Sequence, residues 1–348
     1  MVIHVFHSTP QHNLNMIPYF RKVYIEQDLS FCVRVPNDNE KLKYAHLEGV
    51  EFYGNAQQLF ELLSTKDCDA IVFHGMFDLA VAYRLALSKL TSKCHWIAWG
   101  GDIHDMRVRP RRLYSRTLKR IIRGLAAHRM KSVSALNSGD AELLEKLLKH
   151  RNVGVLPYPL IDVKPLPFKK NTGGPLKILL GNSATETNCH IELLHDLSKL
   201  ASEDIEIHVP LNYPSVVSRK YIEMVIDTGK RLFPCKFIPI LELLSKSDFE
   251  EYLLDMDVAV LGHERQQGLF VAYYMLMNGK TLYVKSGTSS FNTFKQLGFC
   301  IKDTRTIKDE DFLSISIKSD VKLNRNKELL LANFSEQALQ DTWLKLLS

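Results

Sequence analysis

PYPLIDVKPLPFKKNTGGP, residues 157–175, carries five of the thirteen prolines of the chain and ends in Gly173-Gly174-Pro175, directly before the apolar run LKILL at 176–180. Proline fixes φ and removes a backbone donor, so this density predicts an extended link rather than a helix or a central strand. Outward from it on both sides, short β-rich runs alternate with longer helical patterns, which predicts parallel α/β sheets. On the N-terminal side the expected strands are 2–6, 31–35, 70–73, 95–99, 131–135 and 153–156. On the C-terminal side they are 176–180, 205–209, 236–240, 258–261 and 281–284, with helices at 191–200, 249–254 and 269–277 and a last helix over 326–347. The reading is therefore an α/β protein with a first Rossmann-like domain at 1–160, a link at 161–175, a second at 176–325 and a C-terminal helix at 326–348. Ligands of such sheets bind beyond the carboxyl ends of the strands.

A chain of 348 residues is long for one core, which agrees with two domains. The six cysteines stand far apart with no Cys-x-x-Cys pair, a pattern of buried thiols in a reducing compartment rather than a disulfide frame or zinc site. The opening MVIHVFHSTP reads as a core strand and not as a signal segment, and no apolar run approaches the ~18 residues of a spanning helix. The net charge of +6 is unevenly divided. Residues 1–160 hold 22 Lys/Arg against 15 Asp/Glu, and residues 161–348 hold 23 against 24. An anionic partner is expected on the first half: lipid, phosphorylated acceptor or nucleic acid.

Three polar stretches at strand ends carry the candidate chemistry. Gly181-Asn182-Ser183 follows the strand 176–180, and Thr185, Thr187 and Asn188 continue the polar run toward the next helix, whose N–H groups suit a phosphate. An ordinary capped turn explains the same residues about equally well. His263-Glu264-Arg265-Gln266-Gln267-Gly268 joins strand 258–261 to helix 269–277, where Arg265 can clamp a diphosphate and Glu264 can accept from a ribose or sugar hydroxyl. The third pairs His74-Gly75 with Gly100-Gly101-Asp102 at neighbouring strand ends, making Asp102 and His74 candidates for a general base, with His7 next after them. A core histidine and a helix cap are the plainer readings of His74 and Asp102. Asp255-Met256-Asp257 resembles a metal-binding Asp-x-Asp but closes a helix before a strand, so no metal and no cofactor are expected.

Residues 106–139 contain ten Lys/Arg and no Asp or Glu. At about 100° per residue, Arg112, Arg116, Lys119, Arg120 and Arg123 share one arc and Tyr114, Leu118, Ile121, Ile122 and Leu125 the other. The expectation is a helix that packs its apolar face on the sheet and turns its basic face to an anionic membrane. Nucleic acid is not expected, since no aromatic-rich RNP run or zinc knuckle accompanies the charge.

The stretches FHGMF (73–77), WIAWGGDIH (96–104), LLGNS (179–183), VPLNYP (209–214) and the run 249–268 ending in RQQG, in this order, resemble the bacterial 4-α-L-fucosyltransferase family, glycosyltransferase family 56. The resemblance implies a GT-B fold, two Rossmann-like domains facing a cleft. It also implies transfer of an N-acetylated 4-amino-fucose from a dTDP-sugar to a polyprenyl-diphosphate-linked glycan at the inner face of the bacterial inner membrane. The donor would be held by Gly181, Asn182, Ser183, Asn188, Tyr213, Glu264, Arg265, Gln266, Gln267 and Gly268, and the acceptor near Gly75, Gly100 and Gly101. His104 replaces an expected aromatic residue, and His263-Glu264 an apolar pair, which leaves the sugar and acceptor open. A same-fold epimerase or hydrolase and a silent membrane-bound binding module are the other classes; the basic helix speaks against the first and the two polar pockets against the second.

Overall fold

The computed structural model describes residues 1–106, 113–149, 152–161, 173–213, 218–316 and 320–347. The chain divides into two compact units, Met1–Ile161 with Phe334–Ser348, and Asp162–Asn333. Most of the expected link lies outside the described residues.

In unit 1 the elements run β1 (Val2–Phe6), α1 (Pro10–Val23), β2 (Leu29–Arg34), α2 (Asp38–Leu42), β3 (Val50–Tyr53), α3 (Ala56–Ser64), β4 (Ala70–His74), α4 (Leu79–Leu87), β5 (Cys94–Ala98), α5 (Gly100–Met106), α6 (Leu113–Ala127), β6 (Ser132–Ala135), α7 (Ser138–Leu148) and β7 (Gly154–Val155). The sheet order is β3-β2-β1-β4-β5-β6-β7, and every pair is parallel. The order reverses between β1 and β4, which opens a crevice at their carboxyl ends. β1, β4 and β5 are buried along their whole length, as continuous apolar strands covered on both faces should be.

Unit 2 holds β8 (Leu176–Leu180), α8 (His190–Leu197), β9 (Ile205–Pro210), α9 (Arg219–Leu232), β10 (Phe237–Ile240), α10 (Lys246–Leu254), β11 (Val258–Leu261), α11 (Leu269–Met277), β12 (Thr281–Val284), α12 (Ser289–Gln296), β13 (Lys302–Asp303), α13 (Phe312–Ser316) and most of α14 (Asp320–Phe334). Its parallel sheet runs β10-β9-β8-β11-β12-β13, reversing between β8 and β11. Asp255 and Asp257 lie at the amino end of β11, where both hold Lys177: the Asp257 carboxylate accepts from its backbone N–H at 3.1 Å and Asp255 pairs with its ammonium.

The expected last helix is two helices. α14 stops at Phe334, and Ser335 caps α15 (Glu336–Leu347) by accepting the Ala338 N–H at 3.1 Å. The Leu160 N–H donates to the Phe334 carbonyl at 2.8 Å. α15 lies on α1 and drives Trp343 into the core of unit 1, where its indole meets Phe20 at 4.8 Å and donates to the Pro157 carbonyl. None of the helices among the described residues is long and apolar enough to cross a membrane.

Candidate active site

In unit 2 the two predicted polar loops meet at the reversal point. Gln267 donates from one amide nitrogen to Asn182 Oδ1, Ser183 Oγ and Thr185 Oγ1 at 2.9–3.2 Å, and accepts from the Thr187 hydroxyl at 2.9 Å. Asn188 is fully buried and knits the other side. It accepts from Asn182 N–H and from His263 Nε2, and donates to Ser183 Oγ, Thr185 Oγ1 and the Thr185 carbonyl. His263 is neutral, burial holding its pKa down at about 3. The loops can approach this closely because Gly181 and Gly268 have φ of +73° and +66° and no side chain. A Cβ at Gly181 would lie 2.5 Å from His190 Nε2, and one at Gly268 2.5 Å from His263 Cε1. Asn182, Ser183, Asn188 and Gln267 thus spend much of their bonding capacity on each other.

Beside this network, on the same pocket, stands Arg265. Its guanidinium is partly buried, and among the described residues no carboxylate pairs with it. It stands before α11, whose N-cap Gly268 offers no side chain to the first N–H groups, so the positive end of the helix dipole is open. Arg265, His263, Gln267, Thr288, Ser290 and Phe294 line a small pocket beyond the carboxyl ends of β11 and β12. The Ser290 hydroxyl is buried there with no hydrogen-bond partner among the described residues. Thr288 and Ser290 were missed in the sequence, although SGTSS at 286–290 follows the end of β12 after a single residue, Lys285. Glu264 is exposed with its N–H on the Thr187 carbonyl, Gln266 is partly exposed, and Tyr213 is half-exposed with its carbonyl accepting from Ala184.

In unit 1 the structure corrects the reading of His74. It is fully buried, stacked on Phe6 at 4.1 Å, and both ring nitrogens are engaged. Trp99 Nε1 donates to Tyr158 Oη at 3.1 Å, Tyr158 meets His74 Nδ1 at 2.7 Å, and His74 Nε2 meets His4 Nδ1 at 2.9 Å. Burial holds the pKa of His74 well below its ordinary value, with His4 and His12 adding to the shift. It is a satisfied core histidine with no nitrogen left for a substrate. Asp102 is also fully buried. Its Oδ2 accepts from Met76 N–H at 2.8 Å and Trp96 Nε1 at 3.1 Å, tying the β4 end to β5, while Oδ1 has no partner among the described residues. Burial raises its pKa to about 6 against the opposing pull of those donors and Arg123.

The partly exposed polar groups at this end are others. His7, directly after β1, meets Arg34 Nη1 through Nε2 at 3.2 Å. Arginine only donates, so Nε2 accepts and Nδ1 carries the proton. Burial and Arg34 lower the pKa of His7. Arg34 also pairs with Asp78 at 3.5 Å, and Ser8 donates to Glu40 at 2.7 Å. The Phe77 ring lies against His7 and Trp99, under Gly75 and Gly101, where added Cβ atoms would sit 2.4 Å and 3.0 Å from it. Gly100 is buried at the start of α5. The tract HSTP at 7–10 carried the signal, being polar and placed at the end of the first strand.

The basic helix faces the opposite way from the expectation. Arg123 is fully buried and donates to the carbonyls of Met76 (2.9 Å), Phe77 (3.2 Å) and Asp102 (3.5 Å) and to Asp105 (3.4 Å). Lys119 pairs with Asp105 at 2.8 Å, Arg116 reaches the His104 carbonyl, and Arg120 is partly buried. Tyr114, Leu118, Ile121 and Leu125 are the exposed side. Open carbonyls at the β4 end and the carboxylate of Asp105 outbid apolar packing for this surface, because unmet buried acceptors cost more than exposed leucines. Arg112 lies outside the described residues.

Sequence and fold comparisons agree with this architecture. The pattern of the 4-alpha-L-fucosyltransferase glycosyl transferase group 56 matches residues 1–289. The fold is similar to a glycosyltransferase from Rickettsia africae (12% identity, 99% of this chain and 97% of that one, TM-score 0.67). It is also similar to a UDP-forming α,α-trehalose-phosphate synthase from Burkholderia vietnamiensis (8%, 100% and 99%, TM-score 0.70). The N-terminal domain of a trehalose-6-phosphate phosphatase from Candida albicans aligns as well (10%, 99% and 96%, TM-score 0.74). At such identity the likeness speaks for the fold alone, and that fold is GT-B.

Proposed function

The chain belongs to the 4-alpha-L-fucosyltransferase family, glycosyl transferase group 56, and from that premise we propose that it moves an N-acetylated amino-deoxyhexose from a dTDP-sugar to a polyprenyl-diphosphate-linked glycan. Membership makes it a hexosyltransferase with a nucleotide-sugar donor and a glycan acceptor. The nucleotide, the sugar, the lipid link and a working place at the inner face of a bacterial inner membrane are the proposal. Transfer breaks the bond between the anomeric carbon and the diphosphate oxygen and forms one to an acceptor hydroxyl, which gives up its proton. Negative charge grows on the departing diphosphate, and a fixed cation and helix N-terminus lower that barrier without reorganising.

The observation that carries the reading is Arg265, which no carboxylate among the described residues neutralises, beside the open N-terminus of α11 and the pocket with Thr288 and Ser290. We assign Arg265 to the diphosphate, and the Asn182–Asn188–Gln267 network to positioning it. On the acceptor side, the partly exposed rings of Phe77 and Trp99 meet edge-on beside His7, whose Nδ1–H can serve a hydroxyl or phosphate oxygen. Arg265→Ala should weaken dTDP binding in calorimetry by at least ~1.5 kcal/mol, the lower value for a charge-assisted hydrogen bond. Unchanged affinity for both dTDP and UDP would remove Arg265 from the donor site.

A further inference from the structure

The outward side of α6 is a single apolar stripe. Tyr114, Leu118, Ile121 and Leu125 are spaced four, three and four residues apart, one line along a helix, and are exposed by 91%, 53%, 52% and 58%. The line extends ~17 Å at 1.5 Å per residue. At its far end Arg129 donates to the carbonyls of Ala86 and Ser88, which brings the end of α4 alongside, with Leu87 exposed between them. A soluble protein seldom leaves aligned side chains of this size in water unless something covers them.

The charge around the stripe selects the cover. Residues 79–101 and 113–139, which include α4 and α6, hold nine Lys/Arg and no Asp or Glu. The acids between them are turned inward: Asp102 is buried and Asp105 is taken up by Lys119 and Arg123. Arg84, Lys89, Arg129 and Lys131 remain at the surface and pair with no carboxylate among the described residues. A second copy of the chain pairing through this stripe would bring like charges together. An anionic lipid surface offers the reverse, phosphates for the cations and an acyl boundary for the apolar line.

We propose that α6 lies in the plane of an anionic membrane with Tyr114, Leu118, Ile121 and Leu125 inserted below the headgroups. This deepens the proposed membrane location and rests on the lipid-linked acceptor only in supposing that the enzyme works at a bilayer. The attachment is apolar insertion aided by surface charge, whereas the arginines at 116 and 123 and Lys119 serve the fold.

The full-length protein is sedimented with phosphatidylcholine vesicles containing a minority of phosphatidylglycerol, and with pure phosphatidylcholine. Binding should favour the anionic vesicles and keep a measurable part when salt rises from ~0.1 M to ~1 M, where purely electrostatic attachment is screened away. Leu118→Gln with Ile121→Gln should lower the partition coefficient about 100-fold, roughly tenfold for each half-exposed side chain. Its thermal unfolding and its dTDP affinity should match the parent, which separates loss of insertion from loss of fold and from failure of the donor reading. Leu118→Trp should add a fluorescence component that shifts to the blue with anionic vesicles. Parent-like sedimentation of the double glutamine variant, or an unshifted Leu118→Trp, overturns the proposal. So does a parent that forms dimers, dispersed by the glutamine pair, without binding vesicles.

Discussion

Replacing Arg123 by Met tests the inverted helix directly. Methionine keeps the apolar length of the side chain and deletes the guanidinium. The carbonyls of Met76 and Phe77 lose donors at 2.9 Å and 3.2 Å in a site with no exposure, and Asp105 loses one of its two cationic partners. Each stranded buried acceptor costs about 1–3 kcal/mol, and the half-exposed ion pair adds little, so the expected loss is roughly 3–5 kcal/mol. In a unit of this size 1 kcal/mol moves the melting temperature by ~2–4 °C, giving a fall of about 6–20 °C. The comparison is Arg120→Met, three residues back on the same helix, a partly buried side chain for which a loss of ~1 kcal/mol or less is expected. Both are measured by circular dichroism during thermal and urea unfolding. Equal effects of the two substitutions, or an Arg123→Met loss below ~1 kcal/mol, would refute the argument that the basic face holds the fold together.

Gly268→Ala should destabilise unit 2 by at least ~1 kcal/mol, from the left-handed backbone alone, and weaken dTDP binding with it, since the Cβ must displace His263; a parent-like melt and affinity would contradict this. Asp102→Asn should change the pH dependence of stability. The folded pKa is raised to about 6, so the carboxyl favours the fold while protonated in acid and loses that advantage as pH rises through 6. Asparagine does not ionise, so its stability relative to the parent should climb between pH ~4 and ~7, by up to ~3 kcal/mol at 1.36 kcal/mol per pKa unit; a flat difference would count against the buried, uncompensated Oδ1. Because Arg265 and the α11 N-terminus supply positive charge at the proposed diphosphate site, transfer should continue in EDTA. Activity abolished by the chelator and restored by magnesium would show that a cation is required.

The fold was readable where strands are continuous apolar runs between turns: β8, β11 and β12 begin and end where the sequence places them. β3 was not, because VEFY is short, charged and at the sheet edge, with only Tyr53 buried. The break at Ser335 was invisible to periodicity, which continues through it, although Ser335 followed by Glu336 is a usable cap signal. In the donor half, loop composition found the residues that meet, but not that Asn188 and Gln267 bond mainly to their neighbours. A helical wheel separated the two faces of α6 except at Ile122, which packs on the core beside the basic residues, and gave no means of telling which face is inside. That choice depends on carbonyls at Met76 and Phe77, some 46 or 47 residues away in sequence. His74 and His7 are both histidines at strand ends; only the packing of Trp343 and Tyr158 seals one and leaves the other partly open.

The placement of Trp343 has a consequence for biosynthesis. Unit 1 begins with the first strand but closes its core with α15, so its pieces are separated in time by the whole of unit 2. While the ribosome is still translating residues 162–333, the pocket around Phe20, His74 and Tyr158 lacks its indole plug and exposes aromatic surface. Unit 2 has every element it needs before unit 1 receives α15, reversing the usual N-terminal-first order. A stop codon a few residues before Trp343 would leave both sheets intact in sequence, yet yield a nascent chain whose first half is a chaperone client.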